Sequence, residues 1–106
     1  MRSRFAAYAL ALLDYIIATT HPDGPQYQND VLRWRMQLAE FSHATSFVGL
    51  EVLANEDTAS GSVVSFRAEL VQGDRDASFA ERSLFVRREG RWLYHSGERI
   101  ASQEEP

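Results

Sequence analysis

The sequence of 106 residues contains no cysteine and no lysine. The absence of cysteine excludes disulfides, thiolate zinc sites and cysteine nucleophiles within this chain. The 11 cationic side chains are therefore all arginines, and 15 acidic residues bring the formal net charge to −4. A net negative charge argues against a dedicated nucleic-acid binder and against a polybasic module for membrane surfaces.

Long hydrophobic runs are also absent. The apolar run at residues 5–13 follows Arg2 and Arg4 and ends at Asp14. It is too short for a membrane span, which takes about 20 residues, and no Ala-x-Ala cleavage pattern of a signal peptide follows it. We therefore expect a buried first helix, no membrane association and a cytoplasmic protein.

Phosphate-binding and metal-binding motifs are missing. The sequence has no glycine-rich phosphate loop and no Gly-x-Ser-x-Gly motif. Its histidines, His21, His43 and His95, do not have the spacing of metal ligands. We expect neither a metal nor a cofactor.

The first 45 residues are predicted to contain two helices. Alanine and leucine dominate residues 3–19, and Pro22 disfavours a helical conformation at the preceding residue. A second helix is predicted over about residues 30–43, where Trp34 belongs to an apolar stripe at helical spacing.

From Ser46 onward the hydrophobic period changes to two, which is typical of strands. Four segments show it: 46–54, 63–70, 77–88 and 91–96. Short turns between them imply an antiparallel meander. Helices followed by hairpins predict an α+β fold, with helices packed on one face of a curved sheet of about four strands. We expect a single domain at residues 1–101 and an acidic tail at 102–106.

The third predicted strand places Glu81 on the same face as Phe79, Ser83 and Phe85. A carboxylate beside aromatic rings has to be paired or protonated. One interpretation is a buried ion pair with Arg4 or Arg2 of the first helix. The other is a general base or acid in a pocket.

Three further polar residues are candidates for chemistry. Asp14 interrupts the apolar first helix, and it either faces solvent or lines a cavity with Tyr8 and Tyr15, a phenol–carboxylate arrangement suited to proton abstraction. His21 at the helix end either interacts with the helix dipole or acts as a general base oriented by Asp14.

Five segments occur in an order that resembles a known family: MRSRFAAY at 1–8, DYI at 14–16, THP at 20–22, ERS-x-F at 81–85 and GRW-x-Y at 90–94. Together they resemble the central domain of the bacterial YchJ family over nearly the whole chain. The resemblance implies a nuclear transport factor 2-like (NTF2-like) fold, in which helices close a strongly curved antiparallel sheet into a cone.

The resemblance implies a fold more than an activity. Members of the family commonly carry cysteine-rich, zinc-binding SEC-C motifs beside this domain, and that function does not carry over to a chain without cysteine. The family pattern usually has arginine where this chain has Leu84. This chain retains Arg2, Arg4 and Glu81 of the family pattern, and the resemblance implies a network of side chains around them.

Two functional hypotheses follow. The first is a non-catalytic module whose cone binds an unknown small molecule or a protein partner, or forms a homodimer through its sheet. It predicts an Arg4–Glu81 pair and an interior filled by Trp34, Phe66, Phe85 and Trp92. Its ligand-binding or structural network comprises Arg2, Arg4, Tyr8, Trp34, Glu81, Ser83, Trp92 and Tyr94.

The alternative is an enzyme of the isomerase, dehydratase or hydrolase type. This rests on analogy with other folds of the same shape. It requires an open pocket that brings candidate catalytic groups within hydrogen-bond reach of one another. Those candidates are Asp14, Tyr15, His21 and Glu81.

Overall fold

The computed structural model describes residues 1–100, so the predicted acidic tail lies outside the described residues. Three helices precede five strands: α1 Arg2–Ala9, α2 Leu13–Ala18, α3 Val31–Ala44, β1 Ser46–Thr58, β2 Gly61–Gln72, β3 Arg75–Asp76, β4 Phe79–Arg88 and β5 Arg91–Ile100. This order confirms the predicted α+β class.

The prediction of one continuous helix over residues 3–19 is wrong, because the chain turns sharply between α1 and α2. Ala11 has a φ of 57°. The Leu12 N–H donates to the Ala7 carbonyl at 2.8 Å, and the Ala11 N–H donates to the Tyr8 carbonyl at 3.2 Å. This is a Schellman cap, in which glycine normally takes the left-handed position. With alanine there, the sequence carries no stop signal.

The helical layer has its own small core. Asp30 caps α3 by accepting a hydrogen bond from the Arg33 N–H at 3.1 Å. Trp34 and Leu38 of α3 are buried against Ala7 and Ile16. None of the helices within residues 1–100 combines the length and the hydropathy needed to cross a membrane.

The sheet is antiparallel, with the strand order β1-β2-β4-β5, and the two-residue β3 pairs with β2. Two predicted boundaries are wrong, since β1 continues past residue 54 to Thr58 and β5 continues past residue 96 to Ile100. Register shifts interrupt β1 twice, and a third lies on β5 at His95, opposite the step from Leu84 to Phe85. Such bulges bend strands and increase their twist, which curves the sheet around its inner face.

Backbone hydrogen bonds tie the helical layer to the last strand. The Tyr94 N–H donates to the Thr19 carbonyl at 2.7 Å, and the His21 N–H donates to the Tyr94 carbonyl at 2.8 Å. The end of α2 is therefore fixed against β5 beside Tyr94, which is itself buried.

Candidate functional site: the cavity between helices and sheet

A cavity of about 310 Å³ lies between the helices and the inner face of the sheet. Its walls are mainly apolar, and five of the six phenylalanines line it: Phe5, Phe41, Phe47, Phe66 and Phe79. Its polar lining comes from Arg4, Tyr8, Gln26, Glu81, Tyr94 and Arg99. An apolar pocket with a few convergent polar groups is the usual form of a small-molecule site.

Glu81 is held in place on three sides. On β4 it stands opposite Phe66 of β2 and Arg99 of β5. Its Oε2 accepts hydrogen bonds from the Ser83 hydroxyl at 2.8 Å and the Tyr94 hydroxyl at 3.0 Å. Its Oε1 lies 3.7 Å from Arg99 Nε, and the side chain is only 12% exposed. Both hydrogen bonds therefore fall on Oε2, and Oε1 has the longer ion-pair contact with Arg99.

Arg4 reaches from α1 to the end of α2 and is 7% exposed. One terminal nitrogen, Nη1, donates to three oxygens: Thr19 Oγ1 at 2.7 Å, Ile16 O at 3.2 Å and Thr20 Oγ1 at 3.3 Å. The guanidinium carbon lies 4.8 Å from the centre of the Tyr94 ring and 5.9 Å from that of Tyr8. Burial lowers the pKa of Arg4.

The expected ion pair between Arg4 and Glu81 is not formed. Within residues 1–100 no carboxylate lies within 4.0 Å of Arg4, and Glu81 pairs instead with Arg99. The physical reason is the position of Tyr94, whose ring faces Arg4 while its hydroxyl binds Glu81. Arg2 is exposed on α1 and takes no part in this network.

Tyr94 is the central polar residue of the cavity. Burial and the neighbouring Glu81 carboxylate raise the pKa of its phenol well above the ordinary value. The hydroxyl donates to Glu81 and accepts a long hydrogen bond of 3.4 Å from Gln26 Nε2. Burial also raises the pKa of Tyr8, and the Arg4 cation partly opposes that rise.

Sequence reasoning missed Gly97, which stands opposite Ser83 on β5. A Cβ there would overlap Glu81 Oε2 and would lie 2.8 Å from the Tyr94 hydroxyl. A glycine inside a strand is a signal for such a close approach, but the predicted strand ended at residue 96. Arg99 escaped notice for the same reason.

The remaining catalytic candidates do not meet in the cavity. Asp14 forms an ion pair with Arg35, and its side chain is 89% exposed. Tyr15 is exposed and shares a hydrogen bond of 2.7 Å with the Ser3 hydroxyl. His21 is buried elsewhere: its Nδ1 accepts from the Asp23 N–H at 3.0 Å. Of the four candidates, only Glu81 lines the cavity.

The expectation of a filled interior is also wrong. Phe66 and Phe85 are buried on the inner face of the sheet, but Trp34 belongs to the helical core and Trp92 is 46% exposed. The Arg87 guanidinium lies 5.5 Å from the centre of the Trp92 ring. Trp92 lines a separate pocket together with Phe85 and Arg91, and the cavity is left open.

Helices closing one face of a curved antiparallel sheet around an interior cavity define an NTF2-like domain. The sequence profile of the YchJ middle NTF2-like domain matches residues 1–97. The chain therefore belongs to the YchJ family, as the sequence motifs indicated.

Curated relatives are bacterial UPF0225 proteins. One from Haemophilus influenzae (strain 86-028NP) is 38% identical over 95 residues, which cover 89% of this chain and 56% of the relative. Another, from Chromobacterium violaceum, is 39% identical over 102 residues, covering 92% of this chain and 69% of the relative. The chain thus spans a little over half the length of the first relative.

A solved structure is also similar. The solution structure of a SEC-C motif containing protein from Rhodopseudomonas palustris has a TM-score of 0.77 and 33% identity. The match covers 95% of this chain and 76% of that one.

Proposed function

We propose that this domain is a non-catalytic module that binds a small organic molecule between its helices and its sheet. The observation that carries the proposal is the cavity of about 310 Å³, with aromatic walls and buried polar groups. That volume lies at the lower end of the range of ligand pockets, about 300–1,000 Å³. A molecule of a few fused or linked rings, or a short chain, fits this description.

The Glu81–Tyr94 pair supports binding rather than proton transfer. A general base needs a lone pair within reach of the substrate proton, and Glu81 Oε2 already accepts from the Ser83 and Tyr94 hydroxyls. A phenol with a raised pKa is a weaker acid at neutral pH. The two groups are therefore suited to a fixed place in the wall of a binding cavity.

An acid–base enzyme is the second candidate. It is favoured by one observation, the phenol and carboxylate 3.0 Å apart in an otherwise apolar cavity. It requires Glu81 to take the substrate proton on Oε1, which lies 3.7 Å from Arg99 Nε. A homodimer through the sheet and a protein partner are further forms of the binding proposal.

Native mass spectrometry of the purified chain tests the binding proposal, because one spectrum reports a retained small molecule and the oligomeric state. Ala68→Leu is the decisive variant, since Ala68 is buried on the cavity wall. Ala54→Leu adds the same atoms at an exposed position of β1 and is the matched control. Loss of the retained mass in the first variant alone supports the proposal.

If no mass is retained, a titration with small aromatic probes monitored by NMR chemical shifts makes the same comparison. Binding that survives Ala68→Leu as well as Ala54→Leu would place the ligand outside the cavity and contradict the proposal. Turnover of a bound molecule that stops in Glu81→Gln would favour the enzyme instead.

A further inference from the structure

We propose that the ligand of this cavity is an organic carboxylate with an apolar body, whose carboxylate group binds Arg4. This inference rests on the proposed binding function and specifies its ligand class. The argument begins with a buried cation that has no anion beside it.

Arg4 is more than nine-tenths buried, and no carboxylate of residues 1–100 lies within 4.0 Å of it. Buried charges in proteins are normally paired, because removing an ion from water costs several kcal/mol. The three oxygens that Nη1 contacts are uncharged carbonyl and hydroxyl groups. They orient the guanidinium without neutralising it.

The rest of the guanidinium has no anionic partner within residues 1–100. Arginine has five N–H groups in a planar fork. Three hydrogen bonds come from Nη1, and the Tyr8 phenol is a further neutral side-chain partner. The guanidinium also lines the cavity, where these neutral contacts leave its charge without an anion from the described residues. An edge with two parallel donors matches the geometry of a carboxylate.

The charge balance of the cavity points the same way. Among residues 1–100, three charged side chains line it, namely Arg4, Glu81 and Arg99. Glu81 lies 3.7 Å from Arg99, which leaves the Arg4 charge without a counterpart in this part of the chain. The Met1 amine, which also lies at this wall, adds no negative charge. The uncompensated charge is therefore positive and suits an anionic group, and the aromatic walls suit an apolar body.

The test uses a panel of three carboxylates with different bodies: 3-phenylpropanoate, indole-3-acetate and octanoate. Each is paired with its neutral primary amide, and binding to the folded chain is measured by NMR titration and calorimetry. A charge-assisted hydrogen-bonded pair contributes about 1.5–3 kcal/mol, so we expect at least one acid to bind about 10- to 100-fold more tightly than its amide.

Arg4→Met should abolish this preference and leave the binding of the amide nearly unchanged. Arg2→Met removes an exposed arginine two residues away and is the matched control, which should keep the preference. Thermal unfolding of each variant establishes that it is folded before binding is measured.

A second measurement uses the unaltered chain, so that the proposal can be tested even if the Arg4→Met variant does not fold. The bound acid, labelled with ¹³C at its carboxyl carbon, is titrated by NMR. A carboxylate on Arg4 should have a lower pKa when bound than when free. A carboxylate buried away from a cation should show a higher one.

The outcomes separate the two proposals. If acids and amides bind equally well, the carboxylate assignment is overturned. If the binding of both is then lost in Ala68→Leu, the binding function itself still stands. A raised pKa of the bound acid would also overturn the carboxylate assignment. Failure of the whole panel to bind would overturn the carboxylate assignment, whereas the binding function is decided separately by the retained mass in the Ala68→Leu and Ala54→Leu variants.

Discussion

The Tyr94 hydroxyl donates a hydrogen bond of 3.0 Å to Glu81 Oε2, and the ring of the same tyrosine lies 4.8 Å from the Arg4 guanidinium carbon. The Tyr94 side chain thus separates the charges of Arg4 and Glu81, which the first functional hypothesis expects to form an ion pair. Glu81 is hydrogen-bonded and ion-paired on the sheet side, whereas Arg4 remains a buried cation on the helical side. The cavity therefore has two chemically different polar ends.

Gly97→Ala should break the network around Glu81. The new Cβ overlaps the position of the carboxylate, so Glu81 has to leave Ser83 and Tyr94. We expect a loss of about 1–3 kcal/mol in the free energy of unfolding, the cost of leaving buried polar groups without partners. The pKa of Tyr94 should fall toward its ordinary value. Denaturant unfolding and NMR titration measure the two effects.

Gly49→Ala is the control, since its Cβ meets only the side chain of exposed Glu69, at 3.1 Å. Equal stability losses in the two glycine variants would show that the Glu81 network contributes nothing specific.

Arg4→Met should lower the free energy of unfolding by about 1–2 kcal/mol, less than the 3–5 kcal/mol typical of breaking a buried ion pair. The loss is small because no carboxylate is left unpaired and because removal of the cation relieves its desolvation. Arg2→Met should change stability by less than about 0.5 kcal/mol, as is usual for surface positions. Denaturant titration of both variants checks this, and a loss above 3 kcal/mol for Arg4→Met would contradict the absence of an anionic partner.

Stability should fall at high pH because Tyr94 must stay protonated in the folded state. Its folded pKa is raised, so above the ordinary pKa of 10.0 the unfolded chain binds fewer protons than the folded chain. The free energy of unfolding then decreases by about 1.4 kcal/mol per pH unit for this residue. Below pH 10 its contribution is constant.

Tyr94→Phe should make this decline shallower, with the share of Tyr8 remaining. Denaturant unfolding at pH 8 to 11 gives the two curves, and curves of equal slope would refute the assignment to Tyr94.

Asp14→Asn should have little effect on either stability or ligand binding. The Asp14–Arg35 pair lies at the surface, where ion pairs typically contribute 0–1 kcal/mol. We expect a change below about 0.5 kcal/mol in unfolding and unchanged affinity for cavity ligands. A substantial loss of affinity would show that Asp14 takes part in ligand binding.

Much of the fold follows from periodicity and turn residues. Alternation along β4 correctly placed Phe79, Glu81 and Phe85 on the inner face, because a strand alternates faces wherever its register is regular. The break at Ala11 could not be predicted, since alanine and leucine favour a helix and a tertiary arrangement overrides that preference.

The site was predictable only in part. Arg4, Glu81 and Tyr94 were candidates, but their partners depend on the β5 register. There, a bulge puts Tyr94 and Gly97 against the same carboxylate although they are three residues apart. Strict alternation would place those two residues on opposite faces. The identity of the cation beside Glu81 depends on this single irregularity.

The two backbone hydrogen bonds at Tyr94 join the end of α2, on the helical side of the cavity, to β5, on the sheet side. Separating the helices from the sheet requires breaking them, so the Tyr94 amide should exchange with solvent only when the whole domain opens. Occupancy of the cavity is then coupled directly to global unfolding. A bound molecule should raise the melting temperature in proportion to its free-energy contribution, which makes heat denaturation a sensor of the ligand.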